Sequence, residues 1–159
     1  MKRYEKFLKL LKENIEALDK ELRYFAYILE KIEVLKLGDK IGKCENLNYE
    51  EHIYLHAFFS NFSLIVELLI NKVLRSLMNL EAEKIEGKLD ILIWAEKKGF
   101  VENYEKLLEF LYMRNMIAHE YLEIFKDPKN FFFIKNNSSL LYEIFEKIKK
   151  YVKTKGYLK

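Results

Sequence analysis

The chain reads as all-α, a single up-and-down bundle of about five helices over residues 1–159, and three observations predict it. Breakers are scarce, with one proline and five glycines in 159 residues, which leaves little material for tight turns. Apolar residues recur at helical spacing through every long segment. Half of the chain is hydrophobic, enough to fill the core of one domain of ordinary size.

The first helix is expected from about residue 2 to 36. Leu8, Leu11, Ile15, Leu18, Leu22, Phe25, Leu29 and Ile32 step alternately by three and four, a heptad seam flanked by charged residues. Residues 38 to 48 hold two glycines and two asparagines and read as a loop. A second helix, about 49 to 79, carries a broad apolar face from Tyr54 to Leu77. Ser63 and Glu67, four apart, are its polar exceptions. A third, about 84 to 98, ends at Gly99, a natural C-cap. The fourth spans about 101 to 125, where Asp127-Pro128 is expected to end it. Phe131-Phe132-Phe133-Ile134 then suggests a brief extended piece. Asn137 or Ser138 is expected to N-cap a last helix, about 139 to 154.

Charge and cysteine content narrow the function. The net charge of +3 does not by itself announce a nucleic-acid binder. Residues 142 to 159 contain six lysines against Glu143 and Glu146. That is the pattern of a solvated helix end favoured by the macrodipole, although it also attracts phosphates. A lone cysteine, Cys44, excludes an internal disulfide and suits a reducing compartment. No run of 18 uncharged apolar residues occurs, so a membrane span is not expected and a cytoplasmic location is. His52 and His56 have a zinc-chelating spacing beside Glu51, but no further Cys or His ligand stands near them. No metal and no cofactor are expected, and the absence of a glycine-rich phosphate loop argues against a P-loop NTPase.

The densest chemistry lies in Arg114-Asn115-Met116-Ile117-Ala118-His119-Glu120-Tyr121. On an ideal helix Leu107, Phe110, Leu111, Ala118, Tyr121 and Phe125 fall within about 60° of Arg114. A guanidinium in an apolar arc must meet an anion, either a structural carboxylate, for which Glu67 is the candidate, or a ligand phosphate. Arg114 and Tyr121 share one stripe, Asn115 and His119 another. Arg114 and His119 differ by about 140°, so long side chains must converge or a second copy of the helix must supply the partner. Such a groove suits RNA cleavage. A histidine can move a proton at the ribose 2′-OH or the leaving 5′-oxygen, and an arginine can grip the scissile phosphate. Asn115 can orient the imidazole or bind phosphate. No metal is needed when the substrate's own 2′-hydroxyl is the nucleophile, and RNA is then cut while DNA is spared.

The pattern Arg-Asn, three residues, His, one residue, Tyr resembles the signature of the HEPN superfamily. It is most similar to the HEPN toxins paired with a minimal nucleotidyltransferase antitoxin. Trp94-Ala95-Glu96-Lys97-Lys98-Gly99-Phe100, just ahead of the motif helix, resembles the passage found there in those proteins. The likeness covers mainly residues 85 to 125, and segment 128 to 138, with its aromatic run, departs from the family's usual form. The resemblance implies a HEPN-like, dimeric bundle acting as a metal-independent endoribonuclease. Arg114 and His119 would be the catalytic pair assisted by Asn115, and Tyr121 the residue that the partner nucleotidyltransferase adenylylates. An AMP there would place a phosphate on the stripe of Arg114 and silence the groove.

Two blander readings stand beside this one. The same residues fit a non-catalytic subunit that binds a nucleotide or a substrate for a nucleotidyltransferase. A purely structural adaptor is the other, although it has no use for Arg114 inside an apolar arc. Residue by residue, the plain reading is a buried Arg–Glu pair at Arg114, a subunit-interface histidine at His119 and a core tyrosine at Tyr121.

Overall fold

The computed structural model describes residues 2–158 and is all-helical. The run Tyr49–Leu80 is continuous, and counted once it gives seven helices among the described residues, two more than the sequence suggests. They are α1 Lys2–Val34, α2 Leu37–Gly42, α3 Tyr49–Leu80, α4 Lys88–Lys97, α5 Tyr104–His119, α6 Tyr121–Ile124 and α7 Pro128–Thr154. The additions are the short α2 and α6.

Helix α1 buries Leu11, Ile15, Leu18, Leu22, Phe25, Ile28 and Ile32 against α3. The seam is the expected one except at its two ends: Leu8 is only half-buried, and Ile28 takes a core position while Leu29 is half-buried. On an ideal helix Leu29 lies in line with Leu11 and Ile28 about 100° to one side, so the buried face of α1 turns near its end.

The segment expected to be a loop folds back as α2 after Lys36, which takes the left-handed conformation at φ 55°. Gly38 and Gly42 are not turn glycines but places of close approach. A Cβ on Gly38 would lie 3.1 Å from Lys135 Nζ, and one on Gly42 would lie 3.6 Å from the Phe132 ring. Neither contact demands a glycine, the first being to the flexible end of a lysine and the second an ordinary van der Waals distance, but together they mark where α2 rests on α7. Asn48 and Glu51 then start α3 with a capping box. The buried Glu51 carboxylate also pairs with Lys40 of α2. The Asn48 backbone N–H, followed by Lys40, holds the Glu51 carboxyl below its ordinary value of 4.5.

Helix α3 is the central element, in contact with α1, α4 and α5. It includes an 18-residue stretch of mean hydropathy 1.7, long and apolar enough to span a bilayer by length and composition alone. Half of that stretch is buried inside the protein, as a core helix requires. The helix widens into a π segment over Leu68–Leu74. Asn14 of α1 donates there to Ser76 Oγ at 2.9 Å and to the Lys72 carbonyl at 3.4 Å. A side chain that enters a helix's own hydrogen-bond ladder is a recognised cause of such distortion.

The largest departure from expectation concerns residues 126 to 139. Asp127-Pro128 does not end the motif helix; it begins α7. Asp127 Oδ1 accepts the Lys129 N–H at 3.0 Å and Pro128 occupies the first turn, where proline's missing donor costs nothing. The aromatic run is helical, not extended. Successive rings leave a helix about 100° apart and so meet three neighbours: Phe131 lies 4.9 Å from Phe58 of α3, Phe132 covers Gly42 of α2, and Phe133 lies 6.0 Å from Phe110 of α5. Ser138 and Asn137 are interior positions, not caps. Their side chains donate back to the Lys135 and Phe133 carbonyls at 2.9 and 2.7 Å. Helix α4 starts at Lys88, later than expected, and Gly99 closes it with φ +80°.

Candidate functional site

Helices α3 and α5 pack against each other and run antiparallel, since Glu67 meets Arg114 while His56 meets Tyr121. The polar side of α3 steps His56, Ser60, Ser63, Glu67, Asn71, spacings of four, three, four and four that keep them on one stripe. Of the motif residues, Arg114 and Tyr121 face it from α5 and α6.

Arg114 is half-buried and its Nη2 lies 3.2 Å from Glu67 Oε2, with both side chains partly open to solvent at 26% and 30%. The carboxylate expected from the sequence is therefore the one that answers it. Asn71, on the π segment, donates to the same Oε2 at 2.7 Å, and π turns concentrate at functional sites. Arg114 Nη1 donates to Asn115 Oδ1 at 3.1 Å. Two buried atoms of this network are left over: the donor Arg114 Nε and the acceptor Asn71 Oδ1 have no partner in the protein. Buried polar atoms are ordinarily paired, so this cluster retains hydrogen-bonding capacity.

Leu107, Phe110 and Leu111 flank Arg114 and are buried as expected, whereas Ala118 is exposed. The cause is a break that the sequence does not advertise. Helix α5 stops at His119, and Glu120 adopts φ −130°, ψ 46° before α6 resumes. Arg114 and Tyr121 therefore do not share one continuous helical stripe. The break leaves His119 exposed at the C-terminal end of α5. Within one protomer Arg114 turns to α3 while His119 faces solvent. Asn115, also exposed, bonds Arg114; of the two roles expected for it, orienting the imidazole or binding phosphate, this contact places it beside the phosphate-binding candidate.

Tyr121 is held by α3. Its hydroxyl lies 2.7 Å from His56 Nδ1 and 3.4 Å from Ser60 Oγ. Phe125 clamps the pair, its ring centroid 4.6 Å from that of His56 and 5.1 Å from that of Tyr121. Sequence reasoning missed this role for His56 and Ser60. The signal that singles out His56 is its spacing from His52, which reads as a metal-ligand pair, and nothing local links it to a residue 65 positions away.

The surroundings are open and partly apolar. Leu64, Leu108, Tyr112 and Leu122 are 43%, 39%, 72% and 79% exposed, on the helices that carry the polar cluster. A cavity of about 780 Å³ lies instead at the start of α5, lined by Glu96, Glu102, Asn103 and Lys106 among others. The exposed residues of the motif thus sit on a surface. Comparisons of the chain with protein-family models, with curated proteins and with solved structures returned no match.

Proposed function

We propose that the protein is a metal-independent endoribonuclease acting as a homodimer in the cytoplasm, the toxin of a toxin–antitoxin pair with a minimal nucleotidyltransferase as its antitoxin. The observation that carries this reading is the arrangement around Arg114 and His119. One helix presents a cation with an unpaired buried donor and, five residues on, an exposed imidazole freed by the break at Glu120. The two diverge within a protomer, so a two-fold dimer through α5 brings the histidine of one copy toward the arginine of the other. Exposed Leu108 and Tyr112 on that helix provide the apolar contact such an interface needs.

In this mechanism Arg114 grips the scissile phosphate and offsets the charge that builds on it, leaving Glu67 as the phosphate arrives. His119 takes the proton of the 2′-hydroxyl or delivers one to the leaving 5′-oxygen, and Asn115 steadies the guanidinium. The products are a 2′,3′-cyclic phosphate and a free 5′-hydroxyl. Adenylylation of Tyr121 adds a phosphate and a base beside the groove and silences it. The resemblance of Arg114 through Tyr121 to the HEPN signature supports each of these roles.

The test is cleavage of total RNA in EDTA by mass-checked unmodified protein, beside His119→Ala. Cyclic-phosphate ends from the wild type and an inert, folded variant are expected. Equal cutting by the folded variant would remove His119 from catalysis. A Tyr121→Phe protein is expected to cut RNA and to gain no AMP in its native cell, while the wild type gains one. The second reading is a non-catalytic subunit of a nucleotidyltransferase, in which the unpaired Arg114 Nε holds a ligand that is not cut. Absence of cutting by an unmodified, folded dimer would favour that alternative.

A further inference from the structure

Tyr121 and His56 form a pair for which the cleavage reaction has no use. The phenol oxygen of Tyr121 lies 2.7 Å from His56 Nδ1, with Ser60 Oγ at 3.4 Å. Phe125 packs on both rings, and Phe59 meets Phe125 edge-on at 5.2 Å. The contact lies at the surface, with His56 and Ser60 exposed, and the two half-buried rings of Tyr121 and Phe125 anchor it to the core through Phe59.

Other tyrosines of the chain give their hydroxyl protons to acceptors that disarm them. Tyr142 donates to the Leu22 carbonyl at 2.6 Å, and burial pushes its phenol up to about 12. Tyr157 donates to the Glu81 carboxylate and is pushed up to about 12 by burial and that charge. A carbonyl cannot take the proton away, and an adjacent carboxylate opposes the phenolate. An imidazole can accept the proton, and the cation that results favours the phenolate beside it.

We infer that His56 is the proton acceptor that makes Tyr121 the nucleophile of this chain, with Ser60 and Phe125 as positioning residues. The inference rests on the reading of Tyr121 as the adenylylated residue. In the transfer step the Tyr121 hydroxyl proton passes to His56 Nδ1 and the phenol oxygen bonds to the α-phosphorus of a nucleoside triphosphate. The bond from that phosphorus to the β-phosphate oxygen breaks, pyrophosphate leaves with the electron pair, and the imidazolium returns its proton to water. The logic is that of a nucleophile activated by an adjacent base. It supplies from the acceptor protein a base that the transferase need not provide.

The test uses N-acetylimidazole, which acetylates phenols without any transferase, with the rate at Tyr121 read by peptide mass against Tyr112 of the same protein. Wild type is compared with His56→Ala and His56→Gln, each checked for helicity. Glutamine can keep the hydroxyl hydrogen-bonded but cannot take its proton, so it separates base from strut. Both variants are expected to lose about tenfold in the Tyr121 rate, below the usual range for general-base help in a closed site, with Tyr112 unchanged. A Tyr121 rate that stays level or rises in folded variants would overturn the inference. Adenylylation of His56→Gln to the wild-type extent in the native cell would also overturn it while leaving the modification in place. His56-dependent acetylation with no AMP on the wild type would keep the base and remove the adenylylation reading instead.

Discussion

The molecule contains two polar clusters built from the same kinds of residue, and they are finished to different degrees. At one end Glu81 accepts hydrogen bonds from Tyr151 and Tyr157, and Lys98 stands 3.7 Å from its other oxygen. Lys98 in turn lies over the rings of Trp94 and Tyr151. That cluster ties the end of α7 to the end of α3, and its carboxylate is fully engaged. At the motif, Arg114 Nε and Asn71 Oδ1 are unpaired although buried, and His119 is exposed. A cluster built around a fully engaged carboxylate stabilises a fold, even though the Trp94 Nε1 donor beside it has no partner. An unsaturated one at the surface gives up stability and keeps capacity for a ligand or a second chain.

Substitutions can break this contrast, and the largest effect is expected at the motif. Arg114→Ala is predicted to lower RNA cleavage by about 10²–10³-fold, the usual loss when one preorganised charge-stabilising donor goes. Its stability should change by only about 1 kcal/mol, because the ion pair with Glu67 is partly solvated. Cleavage kinetics beside a urea melt check both halves, and a large stability loss with intact cleavage would exchange the roles of the two clusters.

Glu81→Ala is expected to do the reverse. Two tyrosine hydroxyls lose a charged acceptor, which should cost about 2–3 kcal/mol and leave cleavage at the wild-type rate. The urea midpoint reads this directly.

Alkaline pH sharpens the contrast without mutation. Tyr142 and Tyr157 are raised from 10.0 to about 12, in both cases by burial first. A raised phenol favours the folded protein while it stays protonated. That contribution is complete below pH 10.0, shrinks as the unfolded chain ionises, and is gone above about 12. Stability should therefore fall across that window, and Tyr142→Phe with Tyr157→Phe should flatten the fall. An unchanged slope in the double variant would contradict the assignment.

The smallest effect is expected at the start of α3. The Glu51 carboxyl is lowered from 4.5, so its contribution is present above that pH and is lost as the pH drops through the folded-state value. Asn48→Ala, which removes the side-chain half of the capping box, should cost about 1 kcal/mol and leave this acid dependence in place, because the backbone N–H that holds the Glu51 carboxylate remains. Thermal melts from pH 7 downward would measure it.

Much of this was legible in residues taken one segment at a time. The seam of α1, the extent of α3 and the cap at Gly99 follow from local periodicity and from glycine's tolerance of positive φ. The Arg114–Glu67 pair was legible because each is the polar exception on an otherwise apolar arc. What escaped depends on distant partners. Phe131, Phe132 and Phe133 look extended until α2, α3 and α5 each supply a surface for one ring; tertiary packing then overrides a weak local preference. Asp127-Pro128 carries the signature of a helix start as well as of a stop, and only the ensuing helix decides between them. The break at Glu120 has no glycine or proline to announce it, yet it separates Tyr121 from the Arg114 stripe and turns it to His56.

The central claim is that Arg114 and His119 act together across two protomers. It is tested most directly by RNA cleavage in EDTA by Arg114→Ala, by His119→Ala and by a refolded mixture of the two. Each variant alone should be inert. The mixture should regain activity, because a mixed dimer unites one intact arginine with one intact histidine. Cutting by the wild type without recovery in a mixture shown to contain mixed dimers would contradict the composite site.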